Sequence, residues 1–160
     1  MRKVAIVMGS DSDLGVLKPC FETLRQFGVP YEAHVHSAHR TPVEAAHFAK
    51  NAKDNGFAVI IAAAGKAAHL AGAMAAQSVL PVIGIPVKAT ALDGMDALLS
   101  TVQMPAGIPV ATVAIDGSKN AALLAISMLA ISDETLYAAL IDYREQQRQE
   151  ALAKDAKLDV

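Results

Sequence analysis

A three-layer α/β/α sandwich around a central parallel sheet is the fold class that this 160-residue sequence predicts. Three observations lead there. Short apolar, β-branched runs recur along the chain, most of them without polar alternation, as strands buried on both faces read. Between them lie stretches with apolar residues at three- and four-residue steps, the period of an amphipathic helix. The connections are short, so successive strands join through right-handed crossovers and helices cover both faces of the sheet, as in flavodoxin-like and Rossmann-like folds.

Lys3 to Met8, closed by Gly9, is the first strand. Leu14, Leu17, Phe21 and Leu24 mark the buried face of a helix that stops at Gly28, with Pro30 beyond. From Tyr31, apolar residues alternate with Glu32, His34 and His36 in a second strand before the turn Ser37-Ala38-His39-Arg40. Thr41-Pro42-Val43-Glu44 combines an N-cap hydroxyl, a proline in the first turn and a glutamate three residues after the cap, so a second helix starts there and runs to about Gly56.

Phe57 to Ala63 reads as a third strand, Gly65 to Ser78 as a helix of small residues and Pro81 to Pro86 as a fourth strand. Asp93 to Met104 follows as a helix, Pro109 to Ile115 as a fifth strand, and Ser118 to Ala130 as a helix that the serine opens. A last helix, Asp133 to about Lys154, becomes strongly charged after Tyr143 and is expected to pack on neighbouring subunits or to present a solvated face. Residues 1–160 are expected to form one domain, with its core at about 3–131 and the C-terminal helix at about 133–154.

Hydrophobic residues make up 53% of the chain and charged ones 19%, more apolar material than a lone domain of this size easily hides. A homo-oligomer is the expected outlet. A net charge of -2 and 4% aromatic residues give neither a basic footprint nor stacking platforms, so nucleic acid is not an expected partner. Cys20, the single cysteine, fits a reducing, cytoplasmic setting and reads as a small buried hydrophobe. The apolar run after Met1 ends too early for an export signal. The stretch from Ala67 to Val87 contains His69, Gln77, Pro81 and Pro86, and reads as helix, turn and strand rather than a membrane span.

Ligands of open parallel sheets bind outside the carboxyl ends of the strands. There the chain places Gly9-Ser10-Asp11-Ser12-Asp13, Ser37-Ala38-His39-Arg40 and Ala64-Gly65-Lys66-Ala67-Ala68-His69-Leu70. Gly9 allows a tight turn, and the serines offer hydroxyls and free N–H groups at a helix start, a cradle for a phosphate or ribose phosphate. The alternative is that Ser12 or Asp13 simply caps the helix. Arg40 brings a fork of donors for phosphate or carboxylate, and His39 beside it can move protons near neutral pH. His69 either lines the pocket or is hydrogen-bonded within the packing, while His34 and His36 are read as structural. The five histidines and one cysteine show no metal-ligand spacing, so neither metal nor cofactor is expected. A dinucleotide fingerprint is absent after the first strand, and a receiver-type acid is missing after the third.

Five stretches, Met8-Gly9-Ser10-Asp11-Ser12-Asp13, Ser37-Ala38-His39-Arg40-Thr41-Pro42, Ala67-Ala68-His69-Leu70, Gln103-Met104-Pro105 with Gly107-Ile108-Pro109-Val110, and Asn120-Ala121-Ala122-Leu123-Leu124, stand in order along the chain. In them the sequence closely resembles the N5-carboxyaminoimidazole ribonucleotide mutases of purine synthesis, from about Val4 to Ala130. The resemblance implies transfer of a carboxylate from the exocyclic nitrogen of the ribonucleotide to ring carbon C4. It also implies a homo-octamer with sites at subunit interfaces. His39 matches the family's general acid/base, Ser10 and Asp13 its substrate-binding serine and aspartate, and Arg40 its binding arginine. Gly9, Ser12, Ser37, Gly65, His69 and Leu70 complete the expected substrate-binding set.

One stretch departs from the pattern. Where relatives commonly carry Gly-Ala-Gly-Gly and Leu-Pro-Gly, this chain has Ala63-Ala64-Gly65-Lys66 and Leu70-Ala71-Gly72. Lysine resists dihedrals that glycine accepts, so Lys66 either changes the loop or adds a charge facing the substrate's carboxylate. A related branch carboxylates aminoimidazole ribonucleotide directly with CO₂ and tends to carry lysine after the histidine. Arg40 and the Ala67–Leu70 stretch favour the mutase. Direct carboxylation and a non-catalytic nucleotide-binding module are the alternatives.

Overall fold

The computed structural model describes residues 2–158. Strands β1 (Lys3–Met8), β2 (Tyr31–Val35), β3 (Phe57–Gly65), β4 (Val82–Val87) and β5 (Ala111–Thr112) form a parallel sheet in the order β2-β1-β3-β4-β5. Among the described residues the α-helices are α1 (Leu14–Gln26), α2 (Pro42–Asn51), α3 (Leu70–Gln77), α4 (Met95–Val102), α5 (Ser118–Ala130) and α6 (Glu134–Asp155).

Side chains alternate across a strand, so β1 sends Val4, Ile6 and Met8 to one face of the sheet and Ala5 and Val7 to the other. The first face is covered through Leu17, Cys20 and Leu24 of α1, Ala121, Ala125 and Ile126 of α5, and Leu136 of α6. The second is covered through Ala45 and Ala49 of α2 and Leu70, Ala71 and Met74 of α3. Burial on both faces is why β1, β3 and β4 read as unbroken apolar runs. At the sheet's edge β2 leaves Glu32, Ala33 and Val35 exposed, so Ala33 and Val35 of its alternating pattern are not covered within the chain. Cys20 is fully buried, and burial pushes its thiol up to about 12, which makes it the inert packing residue expected.

Several boundaries differ from the sequence expectation, each for a local reason. Strand β3 continues to Gly65, which pairs with Val87, and α3 begins only at Leu70 because Lys66 takes a left-handed backbone (φ 56) that breaks helical continuity. Helix α2 ends at Asn51 and begins without the capping box: the Thr41 hydroxyl accepts from Ser37 N (2.8 Å) instead of capping its own helix. Helix α4 is trimmed to Met95–Val102, behind a left-handed Gly94. Strand β5 shrinks to two residues, because Pro109 before it and Pro86 on β4 each lack the N–H that a longer ladder needs. Ser118 sits inside the first turn of α5 with Gly117 at the cap, so it does not open that helix. Asp133 does cap α6, its Oδ1 accepting from Thr135 N and Leu136 N at 3.1 Å each.

The C-terminal helix rests on the domain by its first half. The rings of Phe27 and Tyr143 meet edge to face at 5.5 Å, and Lys119 Nζ lies 5.6 Å above the Tyr143 ring. Beyond Tyr143 the helix is exposed and carries the Arg148–Glu145 pair.

Gly84 shows how tightly the layers meet. A Cβ there would lie 2.4 Å from Thr101 Cγ2 of α4, 3.0 Å from Val110 Cγ1 and 3.2 Å from Ala71 Cβ of α3. Glycine is what lets α3 and α4 approach β4 together. Gly84→Ala is therefore expected to lower stability by about 1–3 kcal/mol through overpacking, read as a lower urea midpoint with an unchanged slope.

Candidate active site

The strand order reverses between β1 and β3, because β1 leads to β2 on one side while β3 lies on the other. A crevice opens at such a switch point, outside the carboxyl ends of the strands. Here it is a cleft of about 620 Å³ lined by the segments after β1, β2, β3 and β4. A depression of about 670 Å³ beside α5 and α6 is slightly larger, but it holds no histidine, aspartate or glutamate and no glycine-rich turn. The chemistry singles out the first.

Every residue singled out from the sequence, Gly9, Ser10, Ser12, Asp13, Ser37, His39, Arg40, Gly65, His69 and Leu70, lines this cleft. Sequence reasoning overlooked Val87, Lys88 and Ala89, which line it from the end of β4. The same rule about strand ends, carried one strand further, finds them. His34 and His36 lie outside the lining and pack against Phe48 with tilted rings, at 4.8 and 5.2 Å between ring centroids.

The loop after β1 is tied to β3 by Gly9 N donating to Ala63 O at 3.2 Å. Ser10 is extended, and its Oγ accepts from Ser12 N (3.3 Å) and from the Ser12 hydroxyl (2.9 Å), closing a short 3-10 turn over Asp11–Asp13. Ser10, not Ser12 or Asp13, thus does the capping. Asp13 makes no cap bond to α1 and is left facing the cleft. Gly9 has no left-handed backbone, and a Cβ there would meet nothing within 4 Å. Its use is to leave the cleft floor open rather than to make the turn.

The loop after β2 is knotted by Thr41 N donating to Ser37 O (2.9 Å) and Arg40 N to Ser37 Oγ (3.1 Å). Arg40 then reaches across, its Nη2 donating to Gly9 O at 2.8 Å and its Nε to Ser37 Oγ at 3.4 Å. The guanidinium is fixed between two loops, with its remaining N–H groups free for an anion.

His39 and His69 come from different loops and meet, Nε2 to Nδ1, at 2.8 Å with rings nearly perpendicular at 83°. One N–H is shared between these nitrogens, and its position sets which tautomer each ring adopts. If His39 gives the proton, its own Nδ1 is a bare acceptor; if His69 gives it, His39 Nδ1 carries a hydrogen. The pair can therefore present an acid or a base at one atom. The loop carrying His69 is clamped by Ser100 of α4, whose Oγ accepts from Ala68 N at 3.0 Å and donates to Asp96 O at 2.7 Å.

Burial in the cleft wall raises the Asp13 carboxyl above its usual 3.8, against the pull of the Ser10 backbone and the Ser12 hydroxyl; the neighbouring Asp11 adds to the rise. A carboxyl whose pKa is raised on folding favours the fold most below 3.8, and that contribution is lost as pH rises through its folded pKa. Asp13→Asn is accordingly expected to raise the denaturation midpoint at neutral pH, with the gain closing as pH falls toward 3.8. Urea titrations across that range check it. A ligand-binding role for Asp13 would explain why the cost is kept.

Fold and cleft together define a doubly wound α/β protein that holds a hydrogen-bonded histidine pair beside an arginine and a serine-rich turn at its switch point. Residues 3–150 match the family described as AIR carboxylase, and the chain belongs to that family. The N5-carboxyaminoimidazole ribonucleotide mutase of Pyrococcus horikoshii is 53% identical over 156 residues, 98% of this chain and 88% of that protein. The mutase of Thermotoga maritima is 50% identical, covering 99% and 93%. Among solved structures, Treponema denticola PurE superposes with a TM-score of 0.89 at 30% identity, covering 98% of each chain.

Proposed function

We propose that the protein is an N5-carboxyaminoimidazole ribonucleotide mutase of purine biosynthesis, an isomerase with His39 as its general acid/base. The names of its relatives support the reaction, and the His39–His69 contact inside the cleft is the observation that carries the mechanism. The Ser10–Asp13 turn, with Gly9, Ser37 and Arg40, takes the ribose phosphate. Ala64, Gly65, Ala67 and Leu70 form a small apolar wall against the reacting carboxyl group.

His39 first gives its proton to the exocyclic nitrogen of the carbamate. The N–C bond breaks, its electrons stay on nitrogen, and CO₂ is released beside the electron-rich ring. C4 attacks CO₂ to form the new C–C bond, and His39 then removes the C4 proton. The histidine ends as it began, and no electrons enter or leave, so the chemistry asks for no cofactor. His69 holds the imidazole in place and, by shifting the shared proton, lets one ring serve both steps. Holding CO₂ against C4 requires proximity and exclusion of water, which the apolar wall supplies.

The oligomer belongs to the same proposal. Large apolar side chains stand exposed on the chain, Val79 at 96% and Ile131 at 85%, and they support the homo-octamer that the resemblance implies. The setting is cytoplasmic, in keeping with the lone buried thiol. Among the described residues no helix is long and apolar enough to cross a membrane.

The deciding experiment supplies purified protein with the carbamate ribonucleotide in buffer free of ATP and containing a chelator. Conversion to the C4-carboxylated product without added bicarbonate is the expected result. Conversion only of uncarboxylated aminoimidazole ribonucleotide, and only with bicarbonate, would assign direct carboxylation instead.

A further inference from the structure

We infer that Lys66 is a specificity-determining residue whose ammonium binds the carboxylate of the ligand, so that the cleft prefers carboxylated over uncarboxylated ribonucleotides. The inference rests on the proposed mutase reading and names what selects the substrate within it.

Lys66 is exposed on the cleft and holds a backbone φ of 56. Side chains with a Cβ are disfavoured there, and glycine is the low-energy choice. Among the described residues the other non-glycine positions with positive φ are Asp93 and Asp116, a residue type that visits this region more readily than lysine. The segment is held in place: Ser100 Oγ accepts from Ala68 N at 3.0 Å while donating its proton to Asp96 O at 2.7 Å. A strained residue clamped at the rim of a cleft points to a use for its side chain.

The charges around the cleft are already divided. Arg40 is held by Gly9 O and Ser37 Oγ on the β1–β2 side. Lys88 is paired with Asp93 at 3.0 Å. Among the described residues no ion pair or hydrogen bond engages the Lys66 ammonium. It belongs to the β3 loop, three residues before His69, across the switch point from Arg40. A ligand with a phosphate at one end and a carboxylate at the other matches cations on both sides of the His39–His69 pair.

The chemistry sets the sign of the effect. Decarboxylation turns a carboxylate into neutral CO₂, so a cation bound to the carboxylate favours the bound nucleotides over the intermediate. Lys66 therefore lowers KM for carboxylated ligands without raising kcat.

Lys66→Met keeps the side-chain length and the strained backbone but removes the charge, whereas Lys66→Gly removes charge and strain together. Both variants are expected to raise KM for the carbamate ribonucleotide about tenfold, the size of one charge-assisted contact, with kcat unchanged or higher. The inhibition constant of uncarboxylated aminoimidazole ribonucleotide stays as in the wild type. Lys66→Gly melts at or above the wild-type temperature at equal protein concentration, which separates the effect from misfolding. Equal weakening of both nucleotides would make Lys66 a phosphate or steering residue and overturn the inference, as would no change in either. Should the wild type not convert the carbamate at all, the mutase reading fails separately. Calorimetric binding of the C4-carboxylated and uncarboxylated ribonucleotides then still decides the role of Lys66.

Discussion

His39→Asn is expected to abolish most turnover while leaving the nucleotide bound. Asparagine keeps a polar group near His69 Nδ1, so the cleft should keep its shape, but it cannot exchange a proton near neutral pH. General acid–base catalysis by a positioned side chain is worth about a hundred- to ten-thousand-fold, and His39 acts in both halves of the proposed reaction. The barrier should therefore rise by about 3–5 kcal/mol, with ligand affinity changed by less than about tenfold. Steady-state rates together with calorimetric binding check both parts. Retained turnover would move the acid–base role to another group, and a loss of affinity equal to the loss of rate would make His39 a binding residue.

Arg40→Met is expected to act in the opposite sense, on binding more than on the chemical step. The guanidinium is placed by Gly9 O at 2.8 Å and by Ser37 Oγ at 3.4 Å, so its outward N–H groups are preorganised for a phosphate. Hydrogen bonds to charged groups contribute about 1.5–3 kcal/mol each, and loss of two raises KM by about a hundredfold or more. kcat should fall much less, because the phosphate stays bound alike in ground and transition states. Loosening of the β1 and β2 loops accompanies the change, since the arginine also bridges them. Arg40→Lys separates the two causes: it restores charge but neither the fork nor the bridge, and it should recover only part of the affinity.

Lys66 connects these expectations to the family. Its position is one where glycine is the low-energy residue, and the chain keeps the left-handed backbone despite the lysine. The departure visible in the sequence thus places a charged side chain on a backbone that suits glycine. His36 offers a different kind of background. Burial, with the neighbouring His34, lowers its pKa from the usual 6.5 against the pull of Glu44. Its contribution to stability is present above 6.5 and is lost as pH falls through the folded value, so mildly acidic assays combine this loss with any titration of the cleft.

By itself, the sequence determined the order and kind of the elements and the rim on which the chemistry lies. Those properties are local. Apolar runs such as Val4 to Met8 and Phe57 to Ala63 announce strands buried on both faces, Leu14, Leu17, Phe21 and Leu24 announce a helix face, and parallel strands send their following loops to one end of the sheet. That is why residues as far apart as Gly9, His39 and Leu70 were legible as neighbours. Tertiary structure alone decided which groups engage which. Thr41 has the spacing of a helix cap, yet its hydroxyl turns to Ser37 because the loop brings that amide within 2.8 Å. His69 could equally have packed away from the cleft; the sheet's register and the Ser100 clamp set its Nδ1 against His39, thirty residues distant. The physical reason is one of range. Periodicity is written by residues two to four apart, whereas a hydrogen-bond partner across the sheet depends on register and loop path, which only the assembled fold supplies.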